Sequence, residues 1–172
     1  LTPKALRRAN EFSWGPIREV AWLFAGIFMT ILPALAMLKA GALGPLGFLM
    51  RPVEHPWQFF WASGGLSAFL DNAPTYLAFF HTLLGRFHPG LPESEAVRLM
   101  VTGEGLHLEA VAAGSVFMGA VTYIGNAPNF MVKAIAEEAG VAMPSFFGYL
   151  FRWAFPVLVP LFLLLTWIFF RG

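Results

Sequence analysis

Two short polar motifs interrupt apolar sequence, and they hold the side chains best suited to chemistry. The first motif, residues 71–75, reads Asp-Asn-Ala-Pro-Thr, and the second motif, residues 125–129, reads Gly-Asn-Ala-Pro-Asn. When the two asparagines are aligned, Gly65 also pairs with Gly119, so the motifs belong to a weak internal repeat. The positions that we expect to bind an ion or substrate are Asp71, Asn72, Thr75, Gly125, Asn126 and Asn129.

Asp71 decides which ligand these motifs would bind. It is the only acidic residue that the sequence places at membrane depth, where a carboxylate costs at least ~2.5–3.5 kcal/mol, so it is a functional candidate. A carboxylate is a hard oxygen ligand suited to sodium or to an exchangeable proton. The predicted sodium ligands are Asp71, Asn72 and Asn126. A competing interpretation is that Asp71 only caps a helix and that each asparagine only closes backbone hydrogen bonds.

Each motif also contains a proline that predicts an interrupted helix. Pro74 and Pro128 lack an N–H group and crowd the carbonyl four residues earlier. The carbonyls of Leu70 and Ile124 are therefore left without a helical partner. In a membrane, such backbone is tolerated only where it is buried in protein or lines a cavity. Two breaks at corresponding positions indicate a transporter binding site.

The composition indicates an integral membrane protein. Of the 172 residues, 58% are hydrophobic and 12% are charged, which is too apolar a balance for a soluble domain. The chain has no cysteine, which excludes disulfides and thiolate metal sites. Basic residues are scattered between apolar segments, so nucleic acid is not an expected partner. Without a phosphate loop, a zinc signature or a nucleophile–base pair, we predict neither an enzyme nor a resident cofactor.

Five elements are expected to position the motifs in an all-α integral membrane protein. The first motif should lie at the tip of a helical hairpin, and the second motif should lie in the middle of a broken helix. In order, the elements are a membrane span at 17–38, a re-entrant helical hairpin at 56–84, a polar loop at 85–109 with room for one short helix, a discontinuous transmembrane helix at 110–139 and a last span at 146–170.

The N-terminal region adds two expectations about topology and completeness. Lys4, Arg7, Arg8 and Arg18 form the densest basic cluster, which places the N-terminus on the cytoplasmic side. The chain begins with leucine, and its basic start leads into a span without a cleavage-type sequence. We therefore interpret it as a piece of a longer chain, not as a protein with a signal peptide.

Four segments of the chain resemble those of a known family. Residues 14–17, 24–28, 66–76 and 122–135 are similar to the C-terminal part of a citrate-transporter-like family of bacterial membrane proteins, commonly labelled sodium/proton antiporters. That family resembles a branch of the ion transporter superfamily, with arsenite permeases, D-type sodium/proton antiporters and sodium-coupled dicarboxylate symporters. The resemblance implies a multi-pass, inverted-repeat elevator transporter of the bacterial inner membrane. This chain would supply one hairpin, its broken helix and the last span.

The resemblance leaves three functions open. In sodium/proton antiport, which we favour, sodium and a proton compete for Asp71. In sodium-coupled transport of citrate or another dicarboxylate, the helix N-termini near Pro74 and Pro128 bind the anion. The hairpin tip reads Ser-Asn-Thr in the dicarboxylate symporters, however, and Leu-Asp-Asn at residues 70–72 here. The third function is that of a non-transporting membrane fragment or scaffold.

The expected partners follow from the composition, from Asp71 and from the resemblance. They are the lipid bilayer, sodium and protons, the first repeat of the same transporter, and a second copy of the chain in a homodimer. Sodium is expected as the transported or coupling ion and not as a cofactor.

Overall fold

The computed structural model describes residues 2–9, 12–39 and 53–171, and every regular element in these ranges is helical. The all-helical fold predicted from the sequence is therefore confirmed for this part of the chain. A 3₁₀ turn, Met118–Ala120, extends the sixth helix, and a π-helical turn, Leu150–Ala154, lies within the eighth. The helices are α1 (Lys4–Ala9), α2 (Gly15–Lys39), α3 (Pro56–Ser67), α4 (Asn72–Phe87), α5 (Glu93–Gly103), α6 (Gly105–Phe117), α7 (Ala127–Glu138) and α8 (Phe146–Phe169).

By length and apolarity, one helix among the described residues can cross a membrane. It is α8, with 24 residues and a mean hydropathy of 1.8 over its most apolar 18 residues. The helix α6 with its 3₁₀ turn, Gly105–Ala120, is a shorter apolar helix. The span predicted at 17–38 corresponds to α2, a continuous helix of 25 residues. Its passage through the membrane, like the multi-pass topology, stays a prediction.

The helices α3 and α4 form a hairpin that carries the first motif at its tip. The chain leaves α3 at Ala68 and becomes helical again at Asn72. At the open end, Arg86 Nη1 donates to the carbonyl oxygen of Val53 at 2.6 Å, and Arg86 Nη2 lies 3.2 Å from Glu54 Oε1. These contacts join the segment before α3 to the end of α4, so the two ends of the hairpin lie together.

Residues 85–109, predicted as a polar loop with room for one short helix, contain that helix and the ends of two others. The end of α4, all of α5 and the start of α6 lie in this stretch. Glu93 and Glu95 occupy the first turn of α5, where carboxylates interact favourably with the positive end of the helix dipole. Ala96 and Met100 on the same helix are buried, and α5 packs against α4 and α6. This short amphipathic helix is therefore part of the folded structure.

The core lies where the hairpin packs on α6. At Gly114 of α6, an added Cβ atom would collide with the carbonyl oxygen of Phe60 on α3. At Gly64, it would collide with the thioether of Met118. Small residues at such contacts are the usual means of packing membrane helices. Helix α2 adds a further layer, which packs against α4 and α7. Large side chains that are fully buried include Phe59, Phe60, Leu83, Met100 and Val111.

Replacing Gly114 by alanine tests the close contact between α3 and α6. The added methyl group meets backbone that cannot rotate aside, so Gly114→Ala should destabilise the fold by about 1–3 kcal/mol, as overpacking does. Gly65→Ala is the matched control, because nothing lies within 4 Å of the Cβ atom added there. Thermal unfolding of the purified variants should show a loss of stability for Gly114→Ala alone. Equal melting temperatures would contradict the close packing.

The closed hairpin predicts which positions an impermeant reagent labels from one side. The chain has no cysteine, so single cysteines can replace Glu54 and Arg86 in separate variants without background. Because the two side chains are in contact, a membrane-impermeant maleimide should label both positions from the same face of a vesicle. Labelling from opposite faces would mean that the chain crosses the membrane once between these positions, which a closed hairpin of α3 and α4 does not allow.

Candidate functional site

The hairpin tip and the break between α6 and α7 lie against each other. Thr122, in the nonhelical stretch 121–126, donates its hydroxyl hydrogen to the carbonyl oxygen of Ala68 and accepts a hydrogen bond from the Gly125 nitrogen at 3.0 Å. Ala68 directly follows α3, and carbonyls at a helix end lack intrahelical partners. One threonine hydroxyl therefore satisfies a backbone group at each of the two breaks.

Asn72 makes a second link between the breaks. The atoms around its side-chain amide are oxygens that require an N–H donor. The amide nitrogen therefore points towards them. The amide nitrogen donates to the carbonyl oxygen of Gly125 at 3.0 Å and lies 3.0 Å from both Ser67 Oγ and the carbonyl oxygen of Ser115. The Ser67 hydroxyl donates to the same Ser115 carbonyl at 2.6 Å. A single amide thus joins α3, α4, α6 and the nonhelical stretch.

Two glycines allow the close approach of the chain segments around this amide. A Cβ atom at Gly119 would collide with the side-chain amide of Asn72, and a Cβ atom at Gly125 would collide with the carbonyl of Gly119. The side-chain nitrogen of Asn129 donates to the Gly119 carbonyl oxygen at 3.2 Å and so holds this close approach. The shape of the break therefore depends on the absence of side chains at these two positions as well as on Pro128.

Asn126 begins α7 as a helix cap. Its Oδ1 accepts a hydrogen bond from the backbone nitrogen of Asn129 at 3.0 Å, and its own backbone is extended. Pro128 lies in the first turn of α7, where its missing N–H group needs no intrahelical partner. An amide oxygen has two lone pairs, so capping leaves Asn126 able to coordinate a cation.

Asp71 lies directly before α4, as Asn126 lies directly before α7, but its side chain differs from that of Asn126 in its hydrogen bonding. It is the N-cap residue, with an extended backbone, yet its carboxylate makes no cap hydrogen bond. Its side chain is partly exposed, and none of the ion pairs in the described ranges involves it. Pro74 lies in the first turn of α4, as Pro128 does in α7. The hairpin tip thus presents a carboxylate that the helix cap does not use.

Two buried hydroxyl groups beside this network have no hydrogen-bond partner within residues 53–171. They belong to Thr75 on α4 and Ser115 on α6, and both residues are fully buried. A buried polar atom without a partner costs ~1–3 kcal/mol, and such atoms are uncommon in native proteins. The sequence predicts Thr75 as a site residue and does not single out Ser115.

A pair of tyrosines fastens the break to the start of α8. The Tyr123 hydroxyl donates to the carbonyl oxygen of Pro144 at 2.8 Å, and the Tyr149 hydroxyl donates to that of Ala120 at 3.0 Å. The two rings are in contact at a tilt of 31°, with their centroids 4.5 Å apart. Each tyrosine therefore bonds the backbone of the segment that carries the other one.

Lys133 follows the second motif on α7 and is held by its own helix. Its Nζ atom lies 2.6 Å from Glu137 Oε2 and 5.5 Å from the centroid of the Tyr123 ring. The ammonium charge is therefore neutralised by a carboxylate one helical turn away, and it does not add a free cation to the site.

Several members of the network are not evident from the motifs. Ser67, Ser115 and Thr122 lie outside both motifs, although each contributes a hydrogen bond between segments. One available signal is the spacing of Ser63 and Ser67, because small polar residues one turn apart on an apolar helix are typical of close helix contacts. The carbonyl of Gly119 leaves no such signal, since every residue has one.

Half-helices that meet at their breaks are the architecture of secondary membrane transporters. Over residues 1–170 the chain matches the model of the family CitMHS_2, described as "Putative citrate transport". The chain belongs to this family, which confirms the resemblance noted in the sequence, and a transporter family implies a membrane location. No curated protein and no solved structure matches the chain.

Exchanging the amide of Asn72 for a carboxylate tests the link between the breaks. Aspartate has the same size but has no N–H group, and it sets a negative charge against the oxygen atoms of Ser67, Ser115 and Gly125. A buried group without its bond costs ~1–3 kcal/mol, and more when it is charged, so Asn72→Asp should lower the melting temperature by several degrees.

The neighbouring change Asp71→Asn is the matched control for Asn72→Asp. Asp71 makes no cap hydrogen bond, so its replacement by asparagine should leave the melting temperature close to that of the wild type. If Asn72→Asp unfolds at the wild-type temperature, the amide does not hold the two breaks together.

Proposed function

We propose that this chain forms part of a sodium/proton antiporter in which Asp71 is the carboxylate that the two ions share. One observation carries the proposal. Asp71 lies at the hairpin tip, where its side chain is partly exposed and makes no cap hydrogen bond. A carboxylate among apolar helices is costly, and transport gives a reason for its presence that capping does not.

Exchange follows from competition for one charged group. Sodium binds the ionised form of Asp71, whereas a proton removes its charge. Because both cations need the same carboxylate oxygens, the binding of one requires the release of the other. One carboxylate therefore exchanges one positive charge for another, with no need for a second coupling site.

Neutral oxygens near the tip complete the proposed sodium coordination. Asn126 keeps a free lone pair beside its cap bond. The nitrogen of Thr75 bonds the carbonyl oxygen of Asp71 at 3.3 Å, and the Thr75 hydroxyl has no partner within the described ranges. We assign Asn126 and Thr75 to sodium coordination with Asp71. The sequence also predicts Asn72 as a sodium ligand. In this proposal, its main role is to hold the two breaks in register through its bond to Gly125.

The start of α4 at the hairpin tip favours a negative charge on Asp71, which a bound cation can neutralise. Helix α4 begins immediately after Asp71, and the start of a helix carries a partial positive charge. This charge stabilises the ionised carboxylate between transport events. Sodium or a proton then neutralises Asp71 before the loaded site moves, which lowers the cost of carrying it through an apolar environment.

Sodium-coupled citrate transport is the second candidate, because the description of the family names citrate. The N-termini of α4 and α7 provide N–H groups of the kind that bind anions. Two observations favour antiport over this candidate. Asp71 would repel a carboxylate ligand, and Lys133 is already paired with Glu137 at 2.6 Å.

The proposal extends to the setting of the transporter. We place it in the bacterial inner membrane, where α8 has the length and apolarity to cross the bilayer. The first repeat of the same transporter would complete the site from the other side, and a second copy of the chain would form a homodimer.

Removing the charge of Asp71 tests the antiport mechanism. Asp71→Asn keeps the size of the side chain but cannot exchange a proton for sodium. We therefore expect it to abolish sodium-driven proton movement in liposomes that contain the complete transporter. In the wild type, sodium and protons should compete for transport. Thr75→Val should weaken the apparent sodium affinity without removing this competition, since a neutral ligand exchanges no proton.

Expression, circular dichroism and the melting temperature of Asp71→Asn serve as the controls for folding. If a folded Asp71→Asn transporter exchanges sodium for protons at the wild-type rate, Asp71 is not the shared carboxylate. Sodium-dependent uptake of radiolabelled citrate in the same liposomes, without counterflow of protons, would instead establish the second candidate.

A further inference from the structure

The N-terminal segment carries an exposed cationic surface that the proposed transport site does not use. We call it the basic–aromatic surface. None of its basic residues forms an ion pair within the described ranges. Its members are Lys4, Arg7 and Arg8 on α1, Phe12 and Trp14 in the connection, and Arg18 on α2.

Aromatic contacts hold α1 against the start of α2. The backbone nitrogen of Phe12 donates to the carbonyl oxygen of Arg7 at 2.9 Å, and the ring of Phe12 meets that of Trp14 edge-on with centroids 5.2 Å apart. The Arg7 guanidinium lies 5.3 Å from the Phe12 centroid and 5.8 Å from the Trp14 centroid. The guanidinium is therefore fixed beside two rings.

Exposed tryptophans indicate the depth of this surface in the membrane. Trp14 is 61% exposed, and Trp22 further along α2 is 75% exposed. Tryptophan is enriched at the boundary between hydrocarbon and water, where its ring lies at the level of the lipid headgroups. Arg7 beside Trp14 would then lie at the depth of the lipid phosphates.

The carboxylates near the start of α2 do not neutralise the basic–aromatic surface. Glu19, Glu137 and Glu138 line a recess of about 270 Å³ between α2 and α7. Glu138 accepts a hydrogen bond from the Ser13 hydroxyl, and Glu137 pairs with a lysine of its own helix. In the part of the chain that the structure describes, no ion pair joins these carboxylates to α1.

We propose that the basic–aromatic surface binds the headgroups of anionic phospholipids in the leaflet that it faces. Guanidinium groups form charge-assisted and often bidentate hydrogen bonds with phosphate, and clustered basic residues are attracted to an anionic membrane surface. The exposed rings of Phe12 and Trp14 favour a lipid over free phosphate, because they need an apolar contact beside the charged one. This inference depends on the membrane location of the family and not on antiport.

A lipid titration of the full chain in a neutral detergent tests the proposal. Phosphatidylglycerol should raise the melting temperature in a saturable manner, and the effect should shrink as sodium chloride is added. Phosphatidylcholine and free glycerol phosphate should have little effect, because the first lacks net negative charge and the second lacks the apolar part.

Arg8→Gln should weaken the apparent affinity for phosphatidylglycerol about fivefold, the usual effect of one basic residue near an anionic surface. Arg8 is suited to this test because it is exposed and unpaired within the described ranges, so its replacement should leave the fold intact. Arg98→Gln removes the same charge from an exposed position on α5 and should leave the affinity unchanged.

The triple variant Arg7→Gln/Arg8→Gln/Arg18→Gln should lose most of the stabilisation by phosphatidylglycerol. Circular dichroism without lipid shows whether this variant folds, and the comparison of Arg8→Gln with Arg98→Gln decides the outcome if it does not. Equal weakening by these two single changes would overturn the proposal, as would an equal response of the wild type to phosphatidylcholine.

Discussion

The fold depends on satisfying the backbone groups that two helix breaks expose at the same place. In apolar surroundings, each unpaired carbonyl or N–H group costs several kcal/mol, so a single break on its own is unfavourable. Thr122 and Asn72 resolve this by reaching from one break to the backbone of the other, at Ala68 and Gly125. Each break therefore supplies partners for its counterpart, and the hairpin tip and the broken helix are stable as a unit.

The positions of the breaks could be predicted from the sequence, whereas the contacts between them could not. Pro74 and Pro128 act locally, because a missing N–H group affects only the same turn of helix. The bond from Thr122 to Ala68 joins residues that are 54 apart in the chain, and no local pattern specifies it. The need for glycine at position 119 becomes visible only when the amide of Asn72 is seen to lie against it.

For two other features, residue type alone does not decide the local structure or the role of a side chain. The short helix α5 carries Glu93, Glu95 and Arg98 and buries only Ala96 and Met100, and the proline and glycine residues before it at 89–92 favour a loop. For Asp71 the role of the side chain is ambiguous, because aspartate is both a common helix cap and a common cation ligand. The sequence leaves both interpretations open, and in the structure the carboxylate makes no cap hydrogen bond.

The reciprocal bonds of Tyr123 and Tyr149 have a mechanical consequence. Together they couple the nonhelical stretch to α8, the helix that is best suited to anchoring in lipid. The hairpin, by contrast, reaches this stretch through the hydroxyl of Thr122 and the amide of Asn72. A displacement that separates the two breaks would have to break these two side-chain bonds, while the tyrosine pair would keep the broken helix attached to α8.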